Sequence, residues 1–391
     1  MIRAMSRRRL LLKTFAVSMA VLSVLAVLAY GLWSYVFSGL VTEPLGASGA
    51  SSLGPTREAP HNDRILNILL IGTDSRDPAT SRGDSDILMV LTVDRLHGSV
   101  KLLSILRDLY VPIPGYGGDK IKKAYSVGGA ELAVRTVNEN FGLDIQDYAV
   151  VDFQSAENLI DAMGGVEIDV KDAEIPYVNK GIREENETIF PDSAAVPLLT
   201  KGGLQRLVGR QAVSYARVRK LDSDFERTQR QRDVLKAMMA QFSASDLVTK
   251  TNILRKGLSC VTTNLTASEI TWLSMEVLPL LPNGVKEMHL PTDGDYMIHG
   301  EGGWFMVPSR NSMIPKIQEF IWEQTFPFVT YAPIRVSPTP TLSPEPTPSA
   351  APTSTPQPTP EPSPEISPEI SPENTPGLSP TPEPIVESTA A

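Results

Sequence analysis

Asn67-Ile68-Leu69-Leu70-Ile71-Gly72-Thr73-Asp74-Ser75-Arg76 is the stretch on which the fold turns. A continuous aliphatic run, Ile68 to Ile71, leads into a glycine and then into a polar loop. Apolar runs this short mark strands covered on both faces, and polar loops at strand ends are where α/β proteins carry their sites. The first strand is therefore predicted over Ile65–Ile71. Working outward, Asp86–Val93 and Val100–Leu106 read as two more strands, separated by turn residues at Gly83 and His97-Gly98.

Beyond them the period changes. Leu132, Val134, Val137 and Phe141 recur at helical spacing and predict a helix over Ala130–Phe141. A strand at Ala149–Phe153, a helix at Ser155–Met163 and a strand at Val166–Val170 follow. Further helices are expected at Gln205–Ala216, Asp224–Phe242, Asp246–Leu258, Ser268–Leu278 and Ser312–Glu323. Ser223 and Glu226 form a capping-box pattern ahead of the second of these, whose apolar face is Val234, Leu235, Met238, Met239 and Phe242. Strands interleaved with helices predict an α/β class, a mixed central sheet flanked by helices.

The two ends are foreign to that core. Thr14–Phe37 is 24 residues without a charge, about 36 Å as a helix and long enough to span a bilayer with some tilt. Arg3, Arg7, Arg8, Arg9 and Lys13 precede it, and no Lys or Arg follows until Arg57. That bias predicts a cytoplasmic N-terminus and an external main domain. The stretch exceeds the h-region of a cleaved signal peptide, so an uncleaved anchor is the reading adopted. From Pro333 onward the chain holds 18 of its 33 prolines among Ser, Thr and Glu, a composition with no core to bury. The expected organisation is a basic cytoplasmic segment (1–13), a transmembrane helix (14–37), a linker (38–64), the folded external domain (65–330) and a disordered tail (331–391).

Cys260 is the only cysteine, so no intramolecular disulfide is possible, and the four histidines lack zinc-ligand spacing. The net charge is −9, and no nucleic-acid partner is expected.

Polar residues concentrate where strands meet loops. Asp74 follows one strand and Asp86 opens the next, a placement that suits a divalent cation shared with phosphate oxygens. The same residues would also serve as turn caps. Arg107 ends a third strand, and Arg217, Arg219, Arg227 and Arg230 fall within fourteen residues downstream. Guanidinium forks suit phosphate oxygens, although a solvated basic face has the same composition. Arg217 and Arg219 share a side only if the backbone there is extended, so the preceding helix is expected to end near Ala216. Arg227 and Arg230 are expected on one helix face near its N-terminus.

The 67–76 segment, Ser85-Asp86-Ile87-Leu88-Met89, Ser104-Ile105-Leu106-Arg107-Asp108, Tyr215-Ala216-Arg217-Val218-Arg219 and Arg230-Gln231, in this order and spacing, resemble the LytR-CpsA-Psr family. Lys120–Glu131 and Gly164-Gly165-Val166 are similar too, and the resemblance runs from about Asn67 to Met239. It implies an α/β/α sandwich and a membrane-anchored, outward-facing enzyme that moves a glycopolymer from a polyprenyl pyrophosphate carrier to peptidoglycan, forming a phosphodiester. It implies Asp74 and Asp86 as ligands of Mg²⁺ or Mn²⁺, and Asp86 and Arg107 as catalytic. Arg107, Arg217, Arg219, Arg227, Arg230 and Gln231 would bind substrate. An apolar slot for the lipid is expected between sheet and helices, lined from Val151, Phe153, Leu159 and the Val234–Phe242 face. The chain departs from the family pattern at Asp84, where an arginine is usual, with Arg82 displaced. Hydrolysis of the same donor, and non-catalytic binding of lipid-linked glycans, are the alternatives.

Overall fold

The computed structural model describes Met19, Leu221 and residues 22–27, 29–43, 59–74, 82–189, 195–219, 223–299 and 305–336. The basic segment 1–13, Ser75, Arg76 and the chain beyond residue 336 lie outside these. The chain divides into two units between Thr339 and Pro340, and the architecture below is that of the first.

Seven strands form one mixed sheet. In spatial order they are β1 (Val41–Thr42), β10 (Thr262–Thr263), β7 (Asp147–Asp152), β2 (Ile65–Thr73), β3 (Ser85–Asp94), β4 (Ser99–Ile105) and β11 (Val285–Leu290). β2, β3 and β4 are an antiparallel meander, and β7 and β11 add in parallel on its two sides. The meander needs only tight turns, whereas each parallel neighbour needs a long crossover. Between Gly72 and Thr73 the register with β3 shifts, and a Cβ on Gly72 would lie 2.8 Å from that of Ile87. Glycine is required there by space.

Helices α1 (Lys123–Phe141) and α8 (Arg310–Trp322) cover one face of the sheet. Leu69, Ile71, Val90, Leu103 and Val150 pack against Val134, Phe141 and Ile317 in a single buried cluster. The opposite layer contains α2 (Phe153–Ala162), α3 (Ile175–Glu184), α4 (Gly209–Ala216), α5 (Asp224–Ala244) and the hairpin β8 (Val166–Val170)–β9 (Gly203–Leu207). Its buried cluster joins Ile160, Val166, Val178, Val213 and Val234, and contains no residue of the seven-stranded sheet. That layer packs on itself and leaves apolar sheet surface facing a gap. α6 (Leu247–Leu258) and α7 (Ala267–Val277) extend the same side, and the hairpins β5 (Tyr110–Ile113)–β6 (Gly117–Lys120) and β12 (Tyr296–His299)–β13 (Phe305–Pro308) lie outside the main sheet.

The strands and most helices lie within a few residues of expectation, with instructive differences. The helix expected over Gln205–Ala216 is a strand and a shorter helix, because β9 pairs antiparallel with β8, from Gly203 opposite Val170 to Leu207 opposite Val166. A partner strand outweighed local helical spacing. The helix expected from Ala130 begins at Lys123, with a break at Gly128 and Gly129, the latter at φ 68°. The stretch from Ser38 to Arg64, read as a linker, already joins the sheet at Val41–Thr42, paired with Thr262–Thr263. At the other end Tyr331 and Ala332 remain hydrogen-bonded to Asn311 and Arg310 at the start of α8. No helix among the described residues is long and apolar enough to cross a membrane. The span expected at Thr14–Phe37 lies partly outside them, and residues 29–37 are helical.

One ion pair, Lys101 with Asp94, is fully enclosed. The Lys101 ammonium reaches Asp94 at 2.7 Å, Glu323 at 3.2 Å and the Ile321 carbonyl at 2.9 Å. Asp94, His97 and Glu323 converge closely enough to hold a metal ion, but the ammonium takes the cation's place. Burial would raise the Asp94 pKa, and the hydrogen bonds from Lys101 and His97 overcome it, holding the carboxyl below its usual range. Lys101→Met would strand that carboxylate, which should cost about 3–5 kcal/mol. Urea unfolding should read this loss, and the double variant Lys101→Met/Asp94→Leu should recover much of it.

Candidate active site

The C-terminal ends of β2 and β4 and the start of β3 meet α5 at one place. There Asp86, nearly buried, binds two guanidinium groups. Arg107, at the end of β4, donates to one carboxylate oxygen, and Arg219 donates to the other at 2.6 Å. Burial disfavours the charged form of Arg107, and the Asp86 and Asp108 carboxylates overcome this, so its pKa is raised. Arg227, in the first turn of α5, is held by Asp224 at 2.8 Å. Burial pushes its pKa down; Asp224 opposes this, and the nearby Arg107 adds to it. Three arginines thus crowd one carboxylate. The Nε atoms of Arg107 and Arg227 are buried without a hydrogen-bond acceptor among the described residues. An anion's oxygens would satisfy these donors, although the Nε atoms of Arg95 and Arg255, away from this place, share the feature.

Carboxylates crowd the adjoining edge. Burial, then the Asp86 and Asp84 carboxylates, raise the pKa of Asp74. Asp84 goes the other way. Burial would raise it, but Ser126 Oγ at 2.9 Å and Lys122 Nζ at 3.3 Å lower it, with Lys123 adding to the effect. The position where the resemblance leads one to expect an arginine therefore carries a carboxylate paired with Lys122 and Lys123.

The remaining expected residues separate. α4 ends at Ala216, but Arg217 stays in the helical region at φ −96°, ψ 0°. Its side chain turns to Glu185 at 2.5 Å and stacks over Phe153 at 4.5 Å, away from Arg219. Arg230 is buried against Glu174 at 3.2 Å and donates to the Val218 carbonyl. That contact ties the Arg217–Arg219 segment to α5. Gln231, one turn below Arg227, borders the gap between the layers.

That gap is an apolar slot. Two cavities of about 290 and 330 Å³ share Leu159, Leu235, Met238 and Val261. The inner one is bounded by Gly72, Ile87 and Val151 of the sheet and by Phe153, Gln231 and Val234. The outer one reaches Phe242 and the α6 residues Ile253, Leu254 and Leu258. Arg227, Gln231, Val234/Leu235 and Met238 follow one another along α5 at intervals of three and four, so a single helix face runs from cation to apolar slot.

A buried cluster beside Arg217 was not anticipated. Glu157 and Glu185 share Arg210, at 3.6 and 3.8 Å. Burial, followed by the hydrogen bond to Glu185, pushes the Glu157 pKa up to about 8. The signal was weak, since these residues are scattered along the chain. A carboxyl whose pKa is raised by folding binds more protons folded than unfolded, so stability is greatest below its unfolded pKa and declines as pH rises. Melting temperature should therefore fall as pH is raised from about 5 through about 8, and Glu157→Gln should flatten that slope.

The LytR_cpsA_psr family matches residues 46–319 of the chain. Regulatory protein MsrR of Staphylococcus aureus is 35% identical over 178 residues, 45% of this chain and 49% of MsrR, so the chain spans about half of that relative's length. The polyisoprenyl-teichoic acid–peptidoglycan teichoic acid transferase TagU of Halalkalibacterium halodurans is 33% identical over 232 residues, 58% of this chain and 70% of TagU. The solved structure of the family protein YwtF (TagT) with bound octaprenyl pyrophosphate lipid shares the fold, with TM-score 0.52 and 22% identity over 72% of this chain and 99% of that one. With motifs, sheet and slot in agreement with so extended a match, the chain belongs to the LytR-CpsA-Psr family.

Proposed function

We propose that this chain transfers a glycopolymer from a polyprenyl pyrophosphate carrier to a hydroxyl of peptidoglycan. The observation that carries this reading is the α5 face, where a guanidinium cluster leads directly into an apolar slot. Diphosphate on an isoprenoid is the ligand class with that polarity. The TagU relative is named for such a transfer, and the TagT structure holds octaprenyl pyrophosphate.

In this reading Asp86 keeps Arg107 and Arg219 in place until the diphosphate arrives and takes over their N–H groups. Released from its arginines, Asp86 faces the acceptor hydroxyl and receives its hydrogen bond. The hydroxyl oxygen attacks the glycan-bearing phosphorus while the bond to the bridging oxygen breaks. Products are the glycan–phosphodiester and polyprenyl phosphate, on which the hydroxyl proton finally rests. Arg107, Arg219 and Arg227 stabilise charge that builds on the phosphoryl oxygens. Arg217 and Arg230 position the loop that carries Arg219.

The carboxylates fit a divalent cation. The raised Asp74 pKa reflects negative charge from Asp86 and Asp84, which Mg²⁺ or Mn²⁺ held by Asp74 and Asp86 would relieve. Such an ion would neutralise the diphosphate and polarise its oxygens.

Membrane attachment through Thr14–Phe37 belongs to the same proposal. The helix at residues 29–37 meets α6, with the Arg255 guanidinium 4.9 Å over the Tyr35 ring and Gly39 against Ser259. α6 also lines the outer slot, so a lipid from the outer leaflet would enter beside the anchor.

Purified full-length protein, given polyprenyl pyrophosphate-linked glycan and peptidoglycan oligomers, should yield conjugate and polyprenyl phosphate. Asp86→Asn and Arg107→Ala should each lower the rate about 10²-fold or more. Unchanged rates, or release of free glycan phosphate with no conjugate, would reject the assignment.

Chelation should abolish transfer and Mg²⁺ restore it, with Asp74→Asn needing about tenfold more metal or beyond. In metal-free protein the same substitution should raise the melting temperature at neutral pH, because a carboxyl with a raised folded pKa opposes folding there.

A further inference from the structure

A polar cavity lies on the other face of the sheet. It measures about 390 Å³ and is walled by Thr73 of β2, by Tyr148 and Asp152 of β7, and by Tyr125 and Glu131 of α1. Arg82, the arginine displaced from its family position, also lines it. The break in α1 makes the room. Gly129 lies at φ 68°, and the Arg82 guanidinium sits 3.4 Å from where a Cβ would stand. A side chain at Gly129 would strain the backbone and crowd the arginine.

The chemistry of these walls differs from that of the arginine cluster. Glu43, Glu131 and Asp152 outnumber the single cation Arg82, so a diphosphate is disfavoured. Thr73, Tyr125, Tyr148 and Ser155 add hydroxyl groups, and the tyrosine rings offer apolar faces. Tyr148 donates to the Glu43 carbonyl at 2.9 Å, and Glu43 is tied to Thr263, so the wall beyond the anchor is fixed. Hydroxyl-rich, largely uncharged ligands match this mixture, and the volume lies within the range of small-ligand sites.

Location selects the role. Ala149 and Val151 face the lipid slot, whereas Tyr148, Val150 and Asp152 face the polar cavity. Likewise Gly72 borders the slot and Thr73 the cavity, and the next residue is Asp74. The slot and the polar cavity therefore lie back to back across β2 and β7, with Val261 lining both, and Thr73 brings the polar cavity to within one residue of Asp74. Phosphoryl transfer requires the attacking and leaving oxygens on opposite sides of phosphorus. With the lipid, and hence the leaving phosphate, in the slot, an acceptor held in the polar cavity would approach from the opposite face of the sheet, as in-line attack requires.

We propose that the cavity between the α1 break and β7 binds the acceptor sugar, a pyranose of the peptidoglycan glycan strand. This rests on the transferase reading and adds the place where its acceptor is held. Arg82, Tyr125 and Glu131 are its binding residues.

The test uses the full-length protein in detergent and a soluble tetrasaccharide of alternating N-acetylglucosamine and N-acetylmuramic acid, titrated by calorimetry with and without a short-chain prenyl pyrophosphate. Wild type should bind the tetrasaccharide. Arg82→Ala and Glu131→Gln should each weaken it about tenfold, the loss of one charge-assisted hydrogen bond. Affinity for the prenyl pyrophosphate should stay within about twofold, as for a ligand on the far face of the sheet. Arg82 is exposed and Glu131 half-buried, and circular dichroism melts identify any variant that fails to fold; Tyr125→Phe, which keeps the ring, then serves as the substitute. No tetrasaccharide binding by wild type, or equal binding by the folded variants, overturns the proposal. So does a result in which the variants lose only the extra affinity that donor sugars confer on the prenyl pyrophosphate, since the cavity would then hold the donor glycan. Failure of wild type to bind prenyl pyrophosphate at all would instead count against the transferase reading, and the sugar titration distinguishes the two.

Discussion

A β-strand must send successive side chains to opposite faces, and β2 and β7, adjacent and parallel at the centre of this sheet, place that constraint where it matters most. On one face the odd-numbered residues of β2, Leu69 and Ile71, join a continuous core with α1 and α8. On the other, Leu70 and Gly72 look into a slot that no side chain of the described residues fills. The asymmetry arises because the helices α2 to α5 bury their apolar residues mainly against one another and the β8–β9 hairpin. An apolar surface left exposed inside a protein is costly in water, and a lipid is the natural complement.

The arginines show how similar side chains acquire different duties. Arg107, Arg219 and Arg227 gather at Asp86, where their mutual repulsion is only partly offset by that one carboxylate. Arg230 and Arg217 have carboxylate partners of their own, Glu174 and Glu185. Breaking such buried pairs is expensive because it leaves a charge unpaired. They hold in place the short segment between α4 and α5 on which Arg219 rides. The family's position for a further arginine carries Asp84, locked by Lys122 and Lys123, while Arg82 turns toward α1.

Much of the fold was legible because its signals are local. Ile68–Ile71 and Val166–Val170 are apolar or alternating runs with clear ends, and Ser223 with Glu226 marks the start of α5, where the Ser223 hydroxyl does accept from the Glu226 N–H. The five residues of β9 have no period long enough to outweigh the helical spacing of their neighbours, and pairing with β8 makes them a strand. α3 escaped notice behind polar residues, although Val178 and Ile182 are fully buried. β10 is two residues long and is a strand only by virtue of β7 and β1.

What the sequence by itself determined is the inventory: a carboxylate pair at strand ends, an arginine-rich segment, an apolar face on α5, and a charge-biased apolar N-terminus. These follow from residue type and short-range spacing. Only the tertiary structure decided which members meet. Asp86 and Arg219 are 133 residues apart and in contact, whereas Arg217 and Arg219, separated by one residue, point to different partners. The same is true of the two cavities, since a strand's alternation is visible in its sequence but the layer that covers each face is not. Contact between distant residues is set by how helices pack on a sheet, and that depends on the whole chain's burial of apolar surface rather than on any local pattern.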